Sequence, residues 1–440
     1  MWWRRDPHRW FLAVGGLLSV LLLLVLPAAA QVEPAAYHLG APAPQKEVVI
    51  GVIYPMTGPA AQAGTDNRPV FELARDIANG QVEIPFPFYQ KLKGMPGLGG
   101  AKVRLIFTDH QGKPEVGQAE AERLITQEKV HALVGAWHSS VTATASQVAE
   151  RFGVPYMNAE SSSPGLTQRG FKWFFRTSPH DEHFSQAMFD FYRDFEKKRG
   201  VKVKTLGLTY EDTLFGSDSG KVQKELAKKY GHEVVLDMQY RARSTSLVAE
   251  VQRLKAANPD VWMPTSYQTD AILFVKHAKE LDYNPKMIMA QDAGHISPDF
   301  LAAVGKDAEG TMTRAPFSTD LIDKKPVAKV VNAEYKKRHG KDLYDFPARA
   351  FTGMMTLLDA INRAGSTQPA AIQKALRETN VPGDQLIMTW EGVRFDENGQ
   401  NTGVRAIILQ LQGGQYHTVW PFDAATREVL YPIPKWSERK

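Results

Sequence analysis

Apolar positions along the chain switch repeatedly between two spacings. Short apolar runs at residues 48–53, 103–108, 132–134 and 155–157 read as buried strands, and the segments between them, 69–79, 116–127 and 141–151, carry the 3.6-residue period of helices with one apolar face. The alternation restarts with helix 181–198, strand 205–210, helix 217–230, strand 234–239, helix 246–257, strand 261–263, helix 270–281 and strand 287–290. Strands interleaved with helices predict parallel sheets wrapped by helices, an α/β fold.

Two such series imply two lobes. Between them lies Thr177-Ser178-Pro179-His180, where Pro179 favours an extended crossing strand; a second crossing is expected near residues 313–316. Helices 327–339, 348–363 and 368–379 and strands 392–396, 406–412 and 416–420 close the chain. They are too few to form a domain, so the helices are expected to return to the first lobe (47–177 plus 317–388) and the strands to complete the second (178–316 plus 389–440). Residues 81–100, rich in proline and glycine, read as an inserted loop. Their glycines neither follow a strand nor open a helix, which argues against a phosphate cradle.

Charge and composition narrow the class. The 440 residues are 43% hydrophobic and 23% charged, with net charge +5, and the basic residues are dispersed except for Arg4, Arg5 and Arg9. No stripe for nucleic acid results. That basic head precedes an apolar run over residues 11–26 and the small residues before Gln31, the pattern of a secretory signal peptide with cleavage after Ala30. The run is only slightly short of the ~20 residues that span a bilayer, so an uncleaved anchor is the alternative. Residues 31–46, rich in Ala and Pro, read as a flexible tether. The absence of cysteine excludes disulfides, cysteine-ligated zinc and a lipidated N-terminal cysteine.

Candidate chemistry gathers where strands end. Strand 132–134 runs into Gly135-Ala136-Trp137-His138-Ser139-Ser140 and a helix, so free amides and the Ser139 hydroxyl suit a carboxylate; an ordinary helix cap is the alternative use of Ser139. Strand 155–157 runs into Asn158-Ala159-Glu160-Ser161-Ser162-Ser163-Pro164, on the same carboxyl edge of the sheet where such folds place ligands.

These segments, with Gly153-Val154-Pro155-Tyr156, the Leu166-Thr167 turn, Phe175-Arg176-Thr177, the opening Ile50-Gly51-Val52 with Pro55-Met56-Thr57-Gly58-Pro59, and Tyr210-Glu211-Asp212 before Phe215-Gly216, resemble the leucine/isoleucine/valine-type periplasmic binding proteins of ABC transporters. The resemblance runs from about Val48 to Trp420. It implies two Rossmann-like lobes joined by three hinge crossings, the type I periplasmic binding protein fold. It further implies a monomer that captures an amino acid or related solute in the interlobe cleft and hands it to an ABC importer permease, with no catalysis, cofactor or metal.

By the same resemblance, the Glu160 backbone carbonyl meets a ligand ammonium, Ser162 holds the carboxylate beside Ser139, and Asp292 pairs with the ammonium. Tyr267, Phe215 and Phe346 line the pocket, and Trp137 and His138 border it. Glu160 departs from the small residue usual in the family, and Ala63 stands where an aromatic cover is common, which leaves the ligand's side chain open. The alternative for Asp292 is a helix cap or Asx turn, and for Tyr267 an ordinary half-buried tyrosine.

Other constellations are weaker. His180 and His183 read as a polar helix start rather than a metal pair, and Asp396-Glu397-Asn398-Gly399-Gln400-Asn401 reads as a β-turn rather than a calcium loop, since it lacks the twelfth-position Glu. No Gly-x-Ser-x-Gly motif supports a hydrolase. A membrane-tethered sensor of the same fold is the alternative function.

Overall fold

The computed structural model describes residues 47–439, so the expected leader and tether over residues 1–46 lie outside the described residues. The first series forms β1 (Glu47–Tyr54), α1 (Ala61–Ala78), α2 (Pro87–Gln90), β2 (Lys102–Asp109), α3 (Pro114–Thr126), β3 (Ala132–Gly135), α4 (Ser139–Phe152), β4 (Tyr156–Asn158) and β5 (Phe174–Arg176). The five strands make one parallel sheet in the order β2-β1-β3-β4-β5.

The second series forms α5 (Asp181–Arg199), β6 (Thr205–Glu211), α6 (Leu214–Tyr230), β7 (Glu233–Tyr240), α7 (Val248–Ala257), β8 (Val261–Thr265), α8 (Gln268–Glu280), β9 (Met289–Ala290), α9 (Pro298–Val304) and β10 (Met312–Ala315). Strands β7-β6-β8 are parallel, a bridge from Trp262 to Ile288 leads on to β9, and β9 pairs with β10.

Helices α10 (Pro326–His339), α11 (Asp345–Ala364) and α12 (Pro369–Arg377) then bury Val331, Phe351, Leu358 and Leu376 in the same core as Val48, Ile50 and Val52 of the first sheet. After the small pair β11 (Val381–Pro382) and β12 (Gly392–Val393), the hairpin β13 (Ile407–Gln412) and β14 (Gln415–Trp420) adds antiparallel to β10, on the second sheet. The architecture is α/β, two lobes around largely parallel sheets.

Arg176 pins the region where the chain passes between the sheets. Wholly buried, it donates to the Ser163 carbonyl at 2.7 Å, Thr167 Oγ1 at 2.9 Å and Gln400 Oε1 at 2.6 Å. Gln400 and Asn401 in turn donate to the Ser178 and Thr177 carbonyls, tying the extended segment after β5 to the returning chain.

Two local expectations are corrected. Residues 81–100 contain α2 and a 3-10 turn at Pro96–Leu98, and Phe88, Tyr89, Leu92, Met95 and Leu98 are buried. These apolar residues cover α11, with Tyr89 stacked on Phe351 at 6.1 Å and the Gly97 amide bonded to Asn362. α1 begins at Ala61 rather than residue 69, with Pro69 inside the helix. Its first turns bury Ala63, Gly64, Asp66 and Asn67, so tertiary packing overrides the proline signal.

Candidate functional site

Around one small cavity between the lobes stand Trp137, Ser139, Glu160, Ser162, Phe215, Tyr267, Asp292, Ala293, Arg314, Phe346 and Arg349. Eight of the nine candidate residues are in this set. The ninth, His138, lies beside it and lines an adjoining outer groove of about 470 Å³ with Tyr267, Asp270 and Arg243.

The first lobe supplies its part from strand ends. β3 delivers Trp137, and α4 starts at Ser139 with His138 in the cap position and no side-chain cap bond, so Ser139 is not used as a cap. Its hydroxyl accepts from the Ser163 amide at 3.4 Å, which joins the β3 and β4 loops. Trp137 sits at φ 70°, a region a bulky residue occupies at a cost of roughly 1–3 kcal/mol.

The Glu160 side chain turns inward, accepting from Tyr54 Oη at 2.5 Å and Asn67 Nδ2 at 2.8 Å, and burial pushes its carboxyl up to about 7. Gly353 lets α11 approach this loop: a Cβ there would come within 2.8 Å of Ala159 Cβ. That approach brings Arg349, one turn earlier, to the Glu160 carbonyl at 3.2 Å.

The second lobe faces these loops with Tyr267 before α8 and Asp292 after β9. Gly294 makes their contact close, since a Cβ would lie 2.5 Å from the Tyr267 carbonyl carbon. Asp292, at φ 58°, makes no cap bond. Its Oδ2 instead accepts from Arg314 Nη1 at 2.5 Å and Arg349 Nη2 at 2.9 Å, while Oδ1 has no partner among the described residues.

Behind this knot, Arg349 also pairs with Asp345, and Arg314 lies 3.6 Å from Asp181 and 3.5 Å from the Phe184 ring centroid. Burial raises the carboxyls of Asp345, to about 8, and Asp181. For Arg349, burial is outweighed by Asp345, Asp292 and Glu160, and its charge is held firmly.

Aromatic rings close the walls. Trp137 lies 5.0 Å from Tyr267 and 5.4 Å from Phe346, and Phe215 lies 5.4 Å from Tyr267. The remaining space is about 20 Å³, room for a water and far below the ~300–1,000 Å³ of a drug-sized pocket. Entry of a solute therefore requires the lobes to separate or the side chains to turn.

Arg314 and Arg349 were not among the candidates. The signal was present: Arg349 interrupts the apolar stretch Phe346-Pro347-Ala348 and Ala350-Phe351, and a charge on a buried helix face needs a partner. The two weaker constellations are locally satisfied. His180 Nδ1 accepts from the Glu182 amide and His183 Nδ1 from the His180 amide, and Asp396 accepts the turn amides of Asn398 and Gln400. Among the described residues no cluster of metal-ligating side chains forms, and no helix is long and apolar enough to cross a membrane.

Comparison with known proteins agrees with this architecture. Residues 47–415 match the model of a family described as periplasmic binding protein. Leu/Ile/Val-binding protein homolog 7 of Brucella abortus is 28% identical over 405 residues, covering 90% of this chain and 97% of its own. Among solved structures, LivJ of Streptococcus pneumoniae in complex with isoleucine aligns with TM-score 0.71 at 21% identity, over 88% of this chain and 100% of its own. An ABC transporter solute binding protein of Rhodopseudomonas palustris in complex with 3,4-dihydroxybenzoic acid aligns with TM-score 0.70 at 18% identity, over 89% and 99%. The chain belongs to the periplasmic binding protein family.

Proposed function

We propose that this protein is exported, captures a small carboxylate-bearing solute, an amino acid or a related organic acid, between its lobes, and delivers it to an ABC importer. The observation that carries the reading is the opposition of Ser139, Ser162, Arg349 and the amides opening α4 to Tyr267 and Arg314 across one enclosed space. A helix N-terminus and buried guanidinium groups stabilise a carboxylate through charge-assisted hydrogen bonds. The solutes named for the two solved neighbours, isoleucine and a dihydroxybenzoic acid, differ in most respects and share a carboxylate.

The test is mass spectrometry of solute co-purifying with the native protein, then thermal-shift screening of amino acids, amides and organic acids. At a hundredfold excess over Kd a ligand adds ~2.7 kcal/mol of stability. Shifts confined to compounds with a carboxylate support the reading, and shifts confined to compounds without one overturn it.

A further inference from the structure

We infer that the solute is an organic acid without an α-ammonium, best one with a neutral hydroxyl in that place; this rests on the carboxylate-capture reading above. An amino acid in this cleft needs acceptors for its ammonium, and the Glu160 carbonyl and the Asp292 carboxylate are the groups expected to supply them. Both already serve Arg349, whose Nη1 donates to the Glu160 carbonyl at 3.2 Å and whose Nη2 donates to Asp292 Oδ2 at 2.9 Å. The protein's own guanidinium thus holds the cationic position.

Arg349 has little freedom to yield it. It is 2% exposed, also paired to Asp345, and carried on a helix that Gly353 brings against Ala159. Arg314 adds a second cation on the same Asp292 oxygen, at 2.5 Å. A ligand ammonium on the remaining Asp292 oxygen would be a third cation at a carboxylate that already holds two, and in a buried site their mutual repulsion is poorly screened.

The atoms left over point the same way. Arg314 Nε and Arg349 Nε are buried donors without a partner among the described residues, and both side chains line the cavity. A ligand carboxylate supplies acceptors for such donors. Asp292 Oδ1, the one buried acceptor without a partner among the side chains that line the cavity, is satisfied by a hydroxyl, which brings a proton donor without a charge. The four aromatic walls accommodate an apolar remainder.

Matched pairs test this directly by calorimetry on the wild-type protein: L-leucine against 2-hydroxy-4-methylpentanoate, and L-phenylalanine against 3-phenyllactate. The hydroxy acid of at least one pair is expected to bind tenfold or more tightly than its amino acid. Equal or tighter binding of the amino acid in each pair that binds overturns the inference while leaving carboxylate capture intact. Failure of all four, alongside a thermal shift by an uncharged solute, overturns carboxylate capture itself.

Arg349→Met provides a second arm, because it frees the Glu160 carbonyl and one acceptor position on Asp292. The hydroxy-to-amino affinity ratio is expected to fall at least tenfold in this variant, whereas an unchanged ratio counts against Arg349 as the selecting group. The wild-type comparison stands alone if the variant does not fold.

Discussion

Arg349 of α11 and Asp292 of the loop after β9 lie 2.9 Å apart across the cleft, each side chain only 2% exposed. One sits on a helix packed against the first sheet and the other at the end of a strand of the second, so the pair bridges the two sheets at the cavity.

Breaking this pair from the Asp292 side leaves two buried guanidinium groups sharing too few counter-charges. Loss of one partner of a buried pair typically costs ~3–5 kcal/mol. Asp292→Ala is expected to lower the unfolding free energy by about that amount in guanidinium titrations at neutral pH. A loss under about 1 kcal/mol would mean that water replaces the carboxylate in the variant.

The Glu160 carboxyl gives a pH signature. Burial raises it in the folded state from 4.5 to about 7, so between those values the folded protein holds a proton that the unfolded chain has released. Stability from this group is therefore fully present below about pH 4.5 and declines as pH rises towards 7. Glu160→Gln keeps an acceptor for Tyr54 and cannot ionise. The stability difference between pH 5 and pH 8 should shrink in the variant by about 1.4 kcal/mol for every tenfold by which folding tightens the carboxyl's hold on its proton; an unchanged difference would mean that Glu160 is ionised throughout.

Much of the fold was legible because a parallel sheet buried on both faces writes long apolar runs, as at β1 and β3, and because glycines mark the ends of α4, α5 and α6. The strand-end loops were legible for the same reason, since each begins where an apolar run ends at a carboxyl edge of the sheet. Arg314 and Arg349 were not. Their shared partner Asp292 is 22 and 57 residues away in sequence, and such pairing leaves no local period; only the four-residue spacing of Asp345 and Arg349 is a local signal. The burial of residues 86–98 was missed because prolines mask a short amphipathic turn whose apolar face exists only against α11.

Closure is held by bonds at the rim as well as in the cage. Ser163 Oγ donates to Asp218 on α6, and Arg243 Nη2 reaches the Gly112 carbonyl at 3.0 Å, both joining the two lobes. Because the enclosed space is so small, the capture proposed above requires an opened form that closes on the solute. Small-angle scattering should show a smaller radius of gyration at saturating solute than without it. Asp218→Ala removes a charge-assisted bond between the lobes worth ~1.5–3 kcal/mol, so on the capture proposed above it should weaken solute binding about tenfold or more. Unchanged dimensions at saturation would rule out the clamp.

Arg176 offers the sharpest test of how the hinge shapes the site. Its guanidinium binds the Ser161 and Ser163 carbonyls, Thr167 and Gln400 at once, so one planar group sets both the crossing strand and the loop that presents Ser162. Lysine keeps the charge but carries a single ammonium, which cannot reach carbonyls on one side and Gln400 on the other. Arg176→Lys is expected to cost about 3 kcal/mol or more, since it strands buried acceptors and lowers the cost of moving the Ser162 loop. Gln400→Ala removes only one of these bonds and should cost less than half as much. If the two variants lose equal stability in urea titrations, the Gln400 contact dominates and the loop is held by its backbone alone; if only Arg176→Lys also weakens solute binding, the guanidinium is the link between hinge and cage.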